Sequence, residues 1–198
     1  MNIAILGSSF DPPHNGHLKI ARNILKTKKA NKVILMPVNI HPFGKNLTLS
    51  SHRLQMTKFL QEKNIEVSEL EINKNSVSFS VDTLKALQQK YPLDRFCWII
   101  GSDQLISFNK WKEWQAILRD FGLIIFPRGT HVDVAQEIKK LMSEKQIGKN
   151  LIILNAKDFP HINISSSEIK QRVKSGKSIS DLVPKKVEDY IMRNKLYK

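Results

Sequence analysis

A single cysteine, Cys97, occurs among the 198 residues, so no internal disulfide can brace the chain. It sits in the apolar run Phe96-Cys97-Trp98-Ile99-Ile100, which predicts a core thiol in a reducing compartment. Nowhere does an apolar stretch approach the roughly 20 residues of a bilayer span, which excludes a helical membrane protein. The opening Met1-Asn2-Ile3-Ala4-Ile5-Leu6 lacks the basic region and small-residue cleavage site of a secretory signal. The expected location is the cytoplasm. Repeats, low-complexity linkers and breaks in composition are also missing, so one domain is expected over residues 1–198. Acidic residues are scarce beside basic ones, 18 against 32, which leaves a formal charge of +14.

That charge favours an anionic partner without saying which. The lysines are scattered, with short pairs at Lys28-Lys29, Lys139-Lys140 and Lys185-Lys186. A nucleic-acid-binding arm would show a denser run with interleaved aromatics, so most of these lysines read as solvated surface and nucleic acid is not the expected partner.

Short apolar runs recur at Ile3 to Leu6, Val33 to Pro37, Ile65 to Leu70, Phe96 to Ile100, Leu123 to Phe126 and Leu151 to Leu154. Several are apolar throughout, as strands buried on both faces of a parallel sheet are. The run at Ile65 alternates with Glu66 and Ser68, which places it nearer an edge. Helical spacing lies between the runs: Leu18, Ala21 and Leu25; Val81, Leu84, Leu87 and Tyr91; Val134, Ile138, Leu141 and Met142. Strand–helix alternation predicts an α/β fold with a Rossmann-like, doubly wound parallel sheet. After about Ile164 only helical patterns remain, Ser166 to Lys174 and Pro184 to Arg193, the C-terminal helices. Pro184 suits a first helical position.

The most informative stretch is Gly7-Ser8-Ser9-Phe10-Asp11-Pro12-Pro13-His14-Asn15-Gly16-His17. It links the first strand to the first helix, where open α/β sheets bind ligands. Gly7 permits close backbone approach, Ser8 and Ser9 keep small side chains beside N–H groups, and the following helix turns its positive end towards the loop. His14 and His17 can donate to phosphate oxygens. As metal ligands they would need a third donor that the neighbouring sequence does not supply, so no protein-held metal is expected. The glycine spacings match neither the dinucleotide fingerprint nor the P-loop. A second stretch, Ile164-Ser165-Ser166-Ser167-Glu168-Ile169-Lys170-Gln171-Arg172, is a serine-rich helix start in which Ser165 and Glu168 can form a capping box. Lys170 and Arg172 add charge within the next turn.

Both stretches resemble signatures of the nucleotidylyltransferase superfamily, the HxGH motif and the ISSTxIRxR motif. Three more resemble the bacterial nicotinate (nicotinamide) mononucleotide adenylyltransferases: Ser78-Phe79-Ser80-Val81-Asp82-Thr83-Leu84; Gly101-Ser102-Asp103 followed by Phe108, Trp111 and Trp114; and the ending Leu182-Val183-Pro184, Val187, Tyr190-Ile191, Leu196-Tyr197. The resemblance covers essentially the whole chain. It implies adenylyl transfer from ATP to a pyridine mononucleotide, with Mg²⁺ carried on the triphosphate. His14, His17, Lys170 and Arg172 become catalytic candidates. Gly7, Ser8, Ser9, Phe10, Gly16, Asp103, Ser165, Ser166 and Ser167 become the nucleotide-binding set. Ser80, Thr83, Trp111, Lys45 and Arg128 become the mononucleotide-binding set, with amides near Ser80 receiving the pyridine carboxylate and Trp111 stacking on the ring.

Plain readings stand beside these. Trp111, Trp114 and Leu118 could share a helical face as core, Asp103 could cap a turn, and Arg128 could be a surface arginine. Two rival functions also stand: a pantetheine-phosphate adenylyltransferase or related nucleotidylyltransferase, and a basic nucleic-acid-binding protein that releases no pyrophosphate.

Overall fold

Six of the apolar runs pair side by side in the computed structural model, which describes residues 1–40, 44, 46–74, 76–128, 132–142, 150–154, 159 and 162–198. The strands are β1 (Asn2–Ser8), β2 (Lys32–Pro37), β3 (Ile65–Val67), β4 (Arg95–Gly101), β5 (Leu123–Phe126) and β6 (Leu151–Ile153). All pairings are parallel, in the order β3-β2-β1-β4-β5-β6. The alternating segment, β3, is an edge as its pattern predicts.

Helices cover both faces. Alternate residues of β1 show why: Ala4 and Leu6 join one apolar cluster, Ile3 and Ile5 the other. The first cluster is closed by α1 (Asn15–Lys26), α2 (Ser50–Lys58), α6 (Ser166–Lys174) and α7 (Lys185–Arg193), through side chains such as Ile24, Met56, Ile169 and Ile191. The second is closed by α3 (Ser80–Lys90), a 3₁₀ helix at Ser102–Lys110, a short α4 (Trp114–Ala116) with a π-helical turn at Ile117–Phe121, and α5 (Val134–Met142). The sheet is therefore doubly wound. Its order changes direction between β1 and β4, and the crevice beyond their carboxyl ends is where such folds take ligands.

Three local expectations change. Pro184 caps α7 from outside its first turn and does not open it. Tyr91 ends α3 and is largely exposed. Trp111 follows the 3₁₀ helix in extended backbone, so it does not share a helical face with Trp114 and Leu118, which are core. Cys97 is a free, half-buried thiol facing the Ile3 carbonyl at 3.7 Å, and burial pushes its pKa up to about 12. Among the described residues, no helix is long and apolar enough to cross a membrane.

Candidate active site

A cavity of about 510 Å³ opens over the carboxyl end of β1. Its walls include Gly7, Ser8, Ser9, His14, His17, Arg128, Ser165, Ser166, Ser167 and Lys170. Two motifs far apart in sequence thus face one space. Ser166 joins them, donating its hydroxyl to the Pro12 carbonyl at 2.8 Å. The start of α1 is tied to the C-terminal helices as well, by the Asn15 N–H to the Leu182 carbonyl at 2.9 Å.

The loop between β1 and α1 is shaped by packing. A Cβ on Gly7 would come within 2.2 Å of the Trp98 ring, so the absence of a side chain serves the neighbouring strand. A Cβ on Gly16 would meet the His14 ring and Ile162, each at 2.8 Å. Phe10 is fully buried at a positive φ of 47°, with its ring 4.6 Å from that of His17. It supports the histidine from the core and does not line the cavity.

The two imidazoles lie against each other, tilted by 32° with ring centroids 3.8 Å apart. His17 Nδ1 accepts the His14 backbone N–H at 3.1 Å, which leaves the ring proton on Nε2, beside Ser8 Oγ at 3.4 Å. His14 Nδ1 is buried and meets no hydrogen-bond partner among the described residues. Both rings are only 7% exposed. Burial, aided by the positive charge of Arg128, lowers the His14 pKa to about 3. Burial, then the charges of His14 and Arg128, hold His17 well below the usual range. Both are neutral N–H donors near pH 7.

On the opposite wall, α6 begins as its sequence predicts. Ser165 accepts the Glu168 N–H at 3.2 Å, but Glu168 does not complete the capping box; its carboxylate takes Arg172 at 2.7 Å. Arg172 also reaches Asp181 at 3.2 Å, and these acids draw its guanidinium away from the cavity. Lys170 faces inward and donates to Asp11 Oδ2 at 2.5 Å.

The family-model match covers residues 5–172 and is to the cytidylyltransferase-like family. A "probable nicotinate-nucleotide adenylyltransferase" of Buchnera aphidicola is 36% identical over 205 residues, covering 98% of this chain and 96% of the relative. One of the same description from Dictyoglomus thermophilum is 36% identical over 200 residues, covering 100% of both. The chain belongs to the nicotinate-nucleotide adenylyltransferase family. The fold agrees: the Plasmodium falciparum nicotinic acid mononucleotide adenylyltransferase complexed with NaAD superposes with a TM-score of 0.80 at 23% identity, covering 99% and 97% of the two chains. The same enzyme complexed with APC gives 0.78, covering 99% and 96%.

Ser80, Thr83 and Trp111, singled out by resemblance to this adenylyltransferase family, lie along the second face of the sheet. α3 starts at Ser80 with no side-chain cap, leaving first-turn N–H groups open. Lys112 bonds Asp82 at 2.9 Å and Lys85 bonds Glu113 at 2.5 Å, which clamps the Trp111 segment beside the start of α3. Trp111 is half-buried against Phe108, centroids 5.3 Å apart. Thr83 is fully buried and donates to Glu71 at 2.6 Å, so its hydroxyl is already spoken for. Asp103 is exposed at the end of β4, 3.8 Å from the Arg128 guanidinium and outside the cavity lining. Lys45 lies outside the described residues.

Three further groups, none of them marked as functional by the sequence motifs, hold the walls of this cavity together. Arg53 is 1% exposed, and its guanidinium donates to the carbonyls of Ser9, Val38, Asn39 and Thr48. It pins the loop between β1 and α1 to the segments beyond β2. Asp11 lies within the first motif and is a buried acceptor for Lys170, Thr48 and Tyr197. Tyr197 lies in the C-terminal tail and reaches Asp11 from 186 residues away.

Proposed function

We infer that the protein transfers the adenylyl group of ATP to nicotinate mononucleotide, giving deamido-NAD and pyrophosphate. The observation that carries this reading is the meeting of residues 7–17 and 164–170 around one cavity lined with N–H, hydroxyl and ammonium donors. A triphosphate is the ligand that matches such a lining.

The mononucleotide phosphate oxygen attacks the α-phosphorus of ATP in line, and the bond to the bridging oxygen breaks as pyrophosphate leaves. The nucleophile is already anionic, so no general base is required. Rate enhancement comes from alignment and from donors matched to charge that builds on the phosphate oxygens. His14 and His17 serve as neutral donors from α1, and Lys170 supplies a full charge from α6. Ser165 and Ser167 offer hydroxyls, and Ser166 and Ser167 offer first-turn N–H groups, the Ser166 hydroxyl being held by Pro12. Arg128 adds charge from the end of β5. Arg172 acts at one remove, bracing α6 through Glu168 and Asp181. Open amides at Ser80 receive the pyridine carboxylate, and Trp111 offers its ring to the pyridine.

Magnesium fits as part of the nucleotide. Among the described residues no group of three or more His, Cys, Asp or Glu is placed to hold an ion, and Mg²⁺ keeps mostly water and phosphate ligands in such sites. When bound it would neutralise charge on the departing pyrophosphate.

Pyrophosphate release, measured with ATP and each pyridine mononucleotide in turn, tests the reading. Release should require the mononucleotide and be faster with nicotinate than with nicotinamide. Release with phosphopantetheine alone, or none with any acceptor, overturns it.

A further inference from the structure

Asp11 is a carboxylate at 2% exposure against the wall of the nucleotide cavity, and phosphate binding as described does not use it. Its Oδ2 accepts Lys170 Nζ at 2.5 Å and the Thr48 N–H at 3.2 Å. Its Oδ1 accepts the Tyr197 hydroxyl at 2.7 Å. Tyr197 touches the other member of the pair too, with its ring centroid 5.1 Å from Lys170 Nζ.

We propose that Tyr197 is a positioning residue for adenylyl transfer: through Asp11 and its own ring face, it holds the Lys170 ammonium at the cavity wall. The inference rests on the reading of this cavity as the ATP site.

A lysine ammonium is a compact charge on a flexible four-carbon stem and has no directional fork of its own. Its place must be imposed from outside. One bond to Asp11 leaves two of its three N–H donors to aim into the cavity. That bond fixes the ammonium only if the carboxylate is itself fixed, and a carboxylate can swing about its Cβ–Cγ bond. The Tyr197 hydroxyl removes that freedom by engaging Oδ1, so that Oδ2 points to Lys170. Without it, a buried oxygen loses its donor, and the acid turns to recover one.

The backbone goes out of its way to deliver this hydroxyl. Lys195 and Tyr197 both hold positive φ, 51° and 63°, a region that costs non-glycine residues energy and persists only where contacts demand it. The segment is tied down by the Leu196 N–H on the Ile191 carbonyl at 3.1 Å, and α7 by the His52–Tyr190 bond at 2.9 Å. Arg53 lies close enough for its charge to act on Tyr197 and to feel Asp11, so an unshielded carboxylate would have a second cation to turn towards.

Tyr197→Phe keeps the ring and its packing and removes the hydroxyl alone. The test is a double-mutant cycle with Lys170→Ala, read by steady-state pyrophosphate release with ATP and nicotinate mononucleotide. Tyr197→Phe should lower kcat by about tenfold, leave the mononucleotide KM unchanged, and have less than about a twofold effect once Lys170 is absent. Asp11→Asn approaches the pair from its other side and should follow the same pattern, which keeps the test decisive should either variant fold poorly. A Tyr197→Phe enzyme within about twofold of the parent, or an equal loss with and without Lys170, overturns the proposal. If Lys170→Ala itself turns over normally, the assignment of Lys170 to the ATP site fails and the role of Tyr197 fails with it. A large Lys170 effect with a merely multiplicative Tyr197 effect removes the tyrosine alone.

Discussion

Ser166 donates its hydroxyl hydrogen to the carbonyl of Pro12, a partner 154 residues earlier in the chain. This bond joins two sequence motifs, of which the serine-rich one alone would pass for ordinary helix capping. It ties α6 to the loop that carries the two histidines, so substitutions on either side should register in the same reaction.

His17→Ala should lower kcat for pyrophosphate release by at least about a hundredfold, the scale of losing a donor aimed at developing charge. Far-ultraviolet circular dichroism should match the parent, because Phe10 and the capping of α6 hold the surroundings in place. Near-normal turnover would remove His17 from the reacting centre.

Lys170 and Arg172 stand in the same motif but should behave differently. Lys170→Ala takes a charge from the cavity wall and should cost turnover about a hundredfold. Arg172→Ala breaks exposed contacts to Glu168 and Asp181 and should stay within about threefold of the parent. Parallel kinetics on the two variants decide it; equal losses would mean that Arg172 swings inward when nucleotide binds.

Folding stability should carry the signature of the neutral histidines. The folded-state pKa of His14 is lowered to about 3, whereas the unfolded chain titrates near the ordinary value of about 6.5. The unfolded state therefore binds the proton first on acidification. Stability from His14 is complete above that value and falls as pH drops towards the folded one, at up to about 1.4 kcal/mol per pH unit. His17, also lowered, adds in the same direction. Urea melts between pH 7.5 and 5 should show the decline, and His14→Gln should flatten it.

Trp111→Ala should raise the KM for nicotinate mononucleotide about tenfold and leave the KM for ATP within about twofold, since one stacked aromatic contributes on the order of 1 kcal/mol beyond its burial. Initial-rate measurements with each substrate varied in turn separate the two constants. A matched rise in both would place Trp111 in the fold instead of the pyridine pocket.

Gly7→Ala should destabilise the protein by about 1 to 3 kcal/mol, the usual cost of forcing volume into a packed core, because the new methyl would meet Trp98 at 2.2 Å. Thermal melts measure it. Pairing the change with Trp98→Phe should recover part of the loss, as a steric origin requires.

The sheet was legible because strands buried on both faces need unbroken apolar runs, and β1, β2, β4 and β5 have them. β3 announced its edge position through Glu66 and Ser68. α2 was not legible, since it offers the core Arg53, Met56 and Thr57 with no apolar stripe. A helix organised around a buried guanidinium looks like a polar loop to any hydrophobic count. The histidines between β1 and α1 and the serines at the start of α6 stand out because each motif is contiguous. Asp11, by contrast, acquires its meaning from Lys170 and Tyr197, 159 and 186 residues away. No spacing rule reaches that far. Position in a motif points to Asp103 and Arg172, but their side chains face Arg128 and, for Arg172, Glu168 and Asp181.

The stitch between Pro12 and Ser166 has a consequence for how the enzyme comes into being. A ribosome adding roughly 5 to 20 residues per second needs on the order of ten seconds to cover the 154 residues between them. For all that time the nascent polypeptide carries both imidazoles with no opposite wall. Both walls of the cavity can therefore exist only once residues 164–170 have been made.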